Sequence, residues 1–141
     1  QSMDLVVRKI IGDDGLAIYE LIDDMNNFSK TLLPDSTLSQ IQIKRFKGSL
    51  SNLEESVFLL LSQSDNKLFP GSVAFDMLMM TSIITATWRM LVSSQKAKFA
   101  LENNKPSSDF FNRKIKTTQH FVDSVLPRHM GHFMSITAAG S

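Results

Sequence analysis

The chain has no cysteine among its 141 residues, which excludes a disulfide framework, a thiolate nucleophile and a cysteine-ligated zinc. A bias of charge is missing as well. Fifteen basic against fourteen acidic side chains leave a net charge of +1, so no global field would hold the chain on a phosphate backbone or an anionic membrane. Nucleic acid is therefore not an expected partner. No apolar run reaches the about 20 residues that span a bilayer, and no glycine-punctuated alternating runs suggest strands. Also absent are a glycine-rich phosphate loop, a nucleophile elbow, a zincin pair and the Glu-x-x-His of a di-iron bundle. The opening Gln1-Ser2-Met3 has neither the basic region nor the apolar core of a secretory signal and reads as the remnant of a protease-cleaved expression tag. Native sequence is then expected near Asp4, as a piece of something longer.

What is present is helical periodicity. A chain of this length that is 43% hydrophobic fits one domain with one core, and its apolar residues recur at three and four, on one helical face. A first helix is expected from Asp13 or Asp14, whose carboxylate can accept amide hydrogens of the first turn, carrying Leu16, Tyr19, Ile22, Met25 and Phe28 inward. It should end near Leu33, before Pro34. A second is expected from Ser36 as N-cap, with Leu38, Ile41, Phe46, Leu50, Leu53, Val57 and Leu60 on its buried side. Gly48 within it costs roughly 1 kcal/mol relative to alanine and marks a weak point. The polar stretch Ser62 to Lys67 reads as a loop.

A third helix is expected from about Pro70. From Met77 to Trp88 it carries no charge, too short and too rich in threonine and serine for a bilayer, and reads as buried on more than one side. Such a helix is either the centre of the bundle or a face that docks onto another protein surface; a small bundle leaves little room for the first alone, and Met77, Met80, Ile84, Trp88 and Leu91 form the candidate docking face. After the break at Glu102 to Ser108, Ser108 or Asp109 should cap a last helix whose face is Phe111, Ile115, Thr118, Val122 and Val125. Four helices with short connections predict an all-α, up-and-down four-helix bundle. The expected division is a tag remnant at 1–3, a connection at 4–12, the bundle at 13–137 and a tail at 138–141.

All three histidines fall in the last stretch. His129 and His132, spaced i and i+3, would share a helical face within reach of a common metal. His120 lies about two and a half turns earlier and cannot complete that sphere. The preferred reading is solvated histidines near a helix C-terminus, where positive charge is favoured. His120 also lacks His-x-Leu-Lys-Gly surroundings, and nearby Asp123 would oppose a phosphoryl group. The pairs Asp13-Asp14 and Asp23-Asp24 point about 100° apart within each pair and read as caps and solvated carboxylates. Lys44, Arg45 and Lys47 form one basic cluster, and Arg113, Lys114 and Lys116 another; either would suit an acidic partner. Pro127 cannot donate to the carbonyl of Asp123, so a kink is expected there.

Certain residues resemble a known family. Asp4 to Lys9, DLVVRK, resembles the Asp-Leu-Val-Gly-Arg-Lys segment with which many bacterial acyl-CoA dehydrogenases leave their catalytic core. Asp109 to Pro127, DFFNRKIKTTQHFVDSVLP, is similar to the final helix of the extra C-terminal domain of the large members, through Phe110, Phe111, Lys114, Phe121, Leu126 and Pro127. Trp88-Arg89-Met90-Leu91 resembles the family's Gly-Trp-Leu-Leu. Thr85, Ala86 and Thr87 stand where the family often has glycines, and Val7 also replaces a glycine. The resemblance implies a FAD-dependent oxidoreductase of bacterial cytoplasmic fatty acid metabolism as parent, in which a glutamate removes the α-proton of an acyl thioester while hydride passes to flavin. That glutamate, in a Tyr-Glu-Gly-Thr segment, lies upstream of the DLVVRK match, as do the flavin and acyl-CoA contacts. No catalytic, cofactor-binding or metal residue is therefore expected in this chain. FAD belongs to the parent, and the expected partners are its catalytic core and further copies of the chain. Two rival readings remain: a stand-alone helical adaptor working through the Met77 to Trp88 face, and a histidine-dependent phosphotransfer or metal protein.

Overall fold

The computed structural model of the chain describes the backbone of residues 2–63 and 71–140, and the side chains of residues 7–63 and 73–140. It is all-α, as expected, with no strand among the described residues. The helices are α1 (Ser2–Gly12), α2 (Leu16–Ser29), α3 (Gln40–Ser62), α4 (Gly71–Glu102), α5 (Ser108–Ser124) and α6 (His129–Gly140), with a 3-10 turn at Leu126–Arg128 between the last two. The four predicted helices are α2 to α5, and α1 and α6 are additional. Pro70 and most of the predicted loop to Lys67 lie outside the described residues.

Side-chain contacts give the up-and-down course. Gly15, opening α2, sits beside Leu61 near the end of α3, so these two helices run antiparallel. Ser56 of α3 lies against Met80, and Lys98 near the far end of α4 pairs with Asp35 before α3, which makes α4 antiparallel to α3. The returning strut is α5, the 3-10 turn and α6 together: Gln119 donates to the Thr37 carbonyl, His129 meets Asn52, and Gln63 donates to the Gly140 carbonyl. It therefore runs parallel to α3 along its whole length. The break in it is where Pro127 predicts one, because proline suits the first positions of a new turn but not the interior of the old helix.

Helix ends are set by local chemistry. Asp13 accepts from the amides of Gly15 and Ala17, both at 3.1 Å, as its predicted capping role requires. Upstream, the amides of Gly15 and Asp14 return to the carbonyls of Ile10 and Ile11, the pairing that closes a helix with a left-handed residue, here Asp14 at φ 56°. Gly15 follows at φ 82°, and an added Cβ would stand 2.8 Å from Leu61. The same closure ends α4: the amides of Lys105 and Asn104 return to Ala100 and Leu101. Ser36 does not cap α3. Asp35 accepts from the Thr37 amide and hydroxyl and from the Leu38 amide, which holds this stretch in a turn and moves the cap to Ser39, reciprocated by Gln42. At α5 the first turn is preceded by Ser107 in a left-handed conformation with no side-chain cap.

Two predicted core residues are misassigned. Leu16 and Ile41 are 63% and 64% exposed, because each stands two residues, about 200° around the helix, from a residue that is buried, Ile18 and Ile43. The rest of the stripes predicted for α2 and α3 hold: Ile22, Met25, Leu38, Phe46, Leu50, Leu53, Val57 and Leu60 are buried in one cluster, with Tyr19 and Phe28 packed at its edge. On α5, Ile115, Thr118 and Val122 are buried, while Phe111 and Val125 are half-buried.

Candidate functional site

The candidate docking face is the bundle's own core. Met77, Met80 and Ile84 are fully buried, Leu91 is 1% exposed and Trp88 packs partly buried against the same cluster. The physical reason lies in the helix count: α1 and α6, not anticipated from the sequence, both pack on α4 and cover a helix that four helices alone would leave bare. The adaptor reading therefore loses its surface. A polar stripe remains inside. Thr81 Oγ1, Thr85 Oγ1 and Trp88 Nε1, at i, i+4 and i+7, are buried without hydrogen-bond partners among the described residues. Thr87 differs, donating back to the Ile83 carbonyl at 2.8 Å. Because a buried unpaired hydroxyl costs about 1 to 3 kcal/mol, Thr85→Val, which keeps the shape, should raise unfolding free energy by about 1 kcal/mol in urea titration.

The histidines sit at the break in the last strut. His129 is 4% exposed. Its Nδ1 lies 2.7 Å from the Leu126 carbonyl, which can only accept, so the proton is on Nδ1 and Nε2 accepts from Asn52 Nδ2 at 2.9 Å. Both ring nitrogens are thus occupied, fastening the 3-10 turn to α3. His132 turns to α4, with Nδ1 2.7 Å from Asp76 Oδ1 and its ring edge-on to Phe75. Only His120 is exposed. The expectation of solvated histidines near a helix C-terminus is corrected for His129 and His132: they open α6, facing two different neighbouring helices. No group of three His, Cys, Asp or Glu that could hold a metal occurs among the described residues.

Burial holds the His129 imidazole below its ordinary value of 6.5, a lowering that the Leu126 carbonyl opposes and the neighbouring His132 reinforces. The unfolded chain then takes up a proton more readily than the folded one. The stabilisation is complete above the unfolded value and is lost as pH falls through the folded one. The thermal midpoint should drop between about pH 7 and pH 5, and His129→Asn, which keeps a donor toward Leu126, should remove that part of the slope.

Around this break, polar groups clamp strut to bundle. Asp123 accepts from Gln42 at 3.1 Å and pairs with Arg45 at 3.4 Å, and the Thr118 hydroxyl lies 2.8 Å from the Lys114 carbonyl and 3.2 Å from the Met90 carbonyl on α4. At the far end burial pushes the Asp35 carboxyl up, but hydrogen bonds from Lys98 and Thr37 outweigh it and hold it at about 2. Of the basic clusters, Arg45 is engaged with Asp123, while Lys44, Lys47, Arg113 and Lys116 are exposed. Asp23 and Asp24 are solvated, as expected. The sequence carries no signal for the partners of Asn52 and Asp76 or for the Lys98 partner of Asp35, each distant along the chain; the Ser39-x-x-Gln42 spacing is a local signature.

Two recesses adjoin these clamps. One of about 260 Å³ lies between Gly48, Asn52, Pro127 and Met130. One of about 590 Å³ lies between Asp35, Lys98, Glu102, Asn112 and Lys116. Neither is lined by a glycine-rich turn that would bring free amides to a dinucleotide's diphosphate. No helix among the described residues is long and apolar enough to cross a membrane.

Fold and interior together define a helical bundle domain whose polar side chains fasten helices to one another. The family model for acetyl-CoA dehydrogenase C-terminal-like domains matches residues 21–141, and the chain belongs to that family. No curated protein and no solved structure matched the chain.

Proposed function

We propose that the chain is the non-catalytic helical C-terminal domain of a FAD-dependent acyl-CoA dehydrogenase, acting in the bacterial cytoplasm. The observation that carries this reading is the family match over residues 21–141. The employment of all buried histidine nitrogens of His129 in fastening helices supports it. In the complete enzyme a glutamate outside this chain would take the α-proton of the acyl thioester while hydride passes to flavin. The bundle braces the catalytic core or a subunit interface. Since Met77, Met80, Ile84, Trp88 and Leu91 serve its own core, the bracing contacts belong to its outer faces.

The purified chain should be colourless and should not oxidise acyl-CoA; stoichiometric flavin binding, read by absorbance, would sink the proposal. The parent gene should encode Tyr-Glu-Gly-Thr shortly upstream of Asp4, and a parent lacking this domain should lose assembly or thermal stability before it loses flavin.

A further inference from the structure

The outward face of α3 carries a seam that the described residues leave uncovered. Ile41, Lys44, Gly48, Ser51, Glu55 and Phe58 are all exposed and follow one another by three, four, three, four and three residues. This is heptad spacing, the pattern by which one helix meets another, on the side opposite the core. Its ends are apolar, Ile41 at 64% and Phe58 at 63% exposure. Its middle is small. A Cβ added to Gly48 would meet nothing within 4 Å, and Gly48 is not among the positive-φ residues. A glycine within a 23-residue helix costs roughly 1 kcal/mol, and nothing among the described residues requires it. Close approach of another backbone would. Charge is also divided along the helix, with Lys44, Arg45 and Lys47 in the first half and Glu54 and Glu55 in the second.

We infer that α3 pairs antiparallel with α3 of a second copy of this chain, about a two-fold axis between Gly48 and Ser51. In that register Ile41 meets Phe58 of the second copy, Lys44 meets Glu55, and Gly48 meets Ser51; symmetry repeats each pairing. Beside Phe58, a recess of about 340 Å³ edged by Tyr19, Ser51 and Glu54 receives Ile41. The parallel arrangement would set Lys44 on Lys44 and Glu55 on Glu55, and like-charge contact disfavours it. The occupant is a second copy because the seam is complementary to its own reversal, an order that a foreign surface would not require. The pairing holds whether or not the parent is a dehydrogenase.

From Ile41 to Phe58 the seam is about 26 Å long at 1.5 Å per residue, a small interface, so the dimer should be reversible and concentration-dependent. Sedimentation equilibrium of the 15.8 kDa chain over about 1 to 300 μM should show monomer passing to dimer. Lys44→Glu and Glu55→Lys should each weaken the dimer at least about tenfold, since each places two repulsive contacts in the seam. Mixed in equal amounts, the two variants should associate again, because both contacts then join opposite charges, one with its sign reversed and one as in the original chain. Within one chain these residues are about 16 Å apart along α3 and cannot compensate each other. Circular dichroism should be unchanged in both variants. A chain that stays monomeric, a dimer indifferent to either swap, or a mixture that fails to associate overturns the pairing. So does a seam that is protected from hydrogen exchange only when the parent's catalytic core is added.

Discussion

Phe46→Ala lowers the unfolding free energy by about 3 to 5 kcal/mol, the loss measured for large aromatics removed from closed cores. Phe46 is completely buried, and it stands on α3, the helix against which α2, α4, α5 and α6 all pack. With cover on so many sides the surroundings cannot collapse into the space, which places the loss in the upper part of the range. Against a total of about 5 to 15 kcal/mol for a domain, much of the margin is gone, and the thermal midpoint should fall by roughly 10 to 20 °C. Phe58→Ala on the same helix provides the comparison. Its ring is 63% exposed, and in dilute monomer its removal should cost below about 0.5 kcal/mol. Equal losses at the two positions in calorimetry would mean that α3 faces the core differently.

The second large effect falls on a residue with no side chain. Gly15→Ala should cost about 2 to 5 kcal/mol, the sum of two independent penalties. At φ 82° an L residue meets its own carbonyl, for roughly 1 to 2 kcal/mol. The new methyl would also stand 2.8 Å from Leu61 and 2.9 Å from the Tyr19 ring, and forced overpacking costs roughly 1 to 3 kcal/mol. Gly48→Ala is the opposite case, since its Cβ would enter open space and gain helix propensity. In monomer it should stabilise by up to about 1 kcal/mol. Urea midpoints for the two variants should therefore move in opposite directions, and movement in the same direction would contradict the backbone geometry at Gly15.

These two glycines also show how far the sequence could be read. Gly48 interrupts a clear periodic stripe, so its cost was visible. The need for Gly15 was not, because Leu61, the residue it must clear, is brought beside it only by the folding of α2 onto α3. The same distinction runs through the chain. Stripes with strong contrast, such as Ile115, Thr118 and Val122 on α5, are buried as their spacing predicts. Leu16 and Ile41 are apolar but fall outside their stripes by two positions, and residue type was allowed to override phase. On α4 contrast failed, since a helix with no charge from Met77 to Trp88 gives no sign of which side is covered. Cover there came from α1 and from α6, a segment rich in glycine, methionine and small residues that carries little periodic signal of its own. The i, i+3 spacing of His129 and His132 suggested one shared face, and the structure divides it: the two rings diverge toward Asn52 and Asp76.

The returning strut has a consequence for the order of synthesis. Gln42 bonds Asp123 across 81 residues of sequence and Gln63 bonds Gly140 across 77, while Val122, Leu126 and Ile136 each contribute to the one core. During translation α2, α3 and most of α4 will have left the ribosome with the groove meant for this strut still open. The nascent chain must then wait with buried-to-be leucines and methionines in water for several seconds, at about 5 to 20 residues per second. Ribosome-stalled chains ending before Pro127 should accordingly be sensitive to protease, and resistance should arrive only once Ile136 has cleared the exit tunnel.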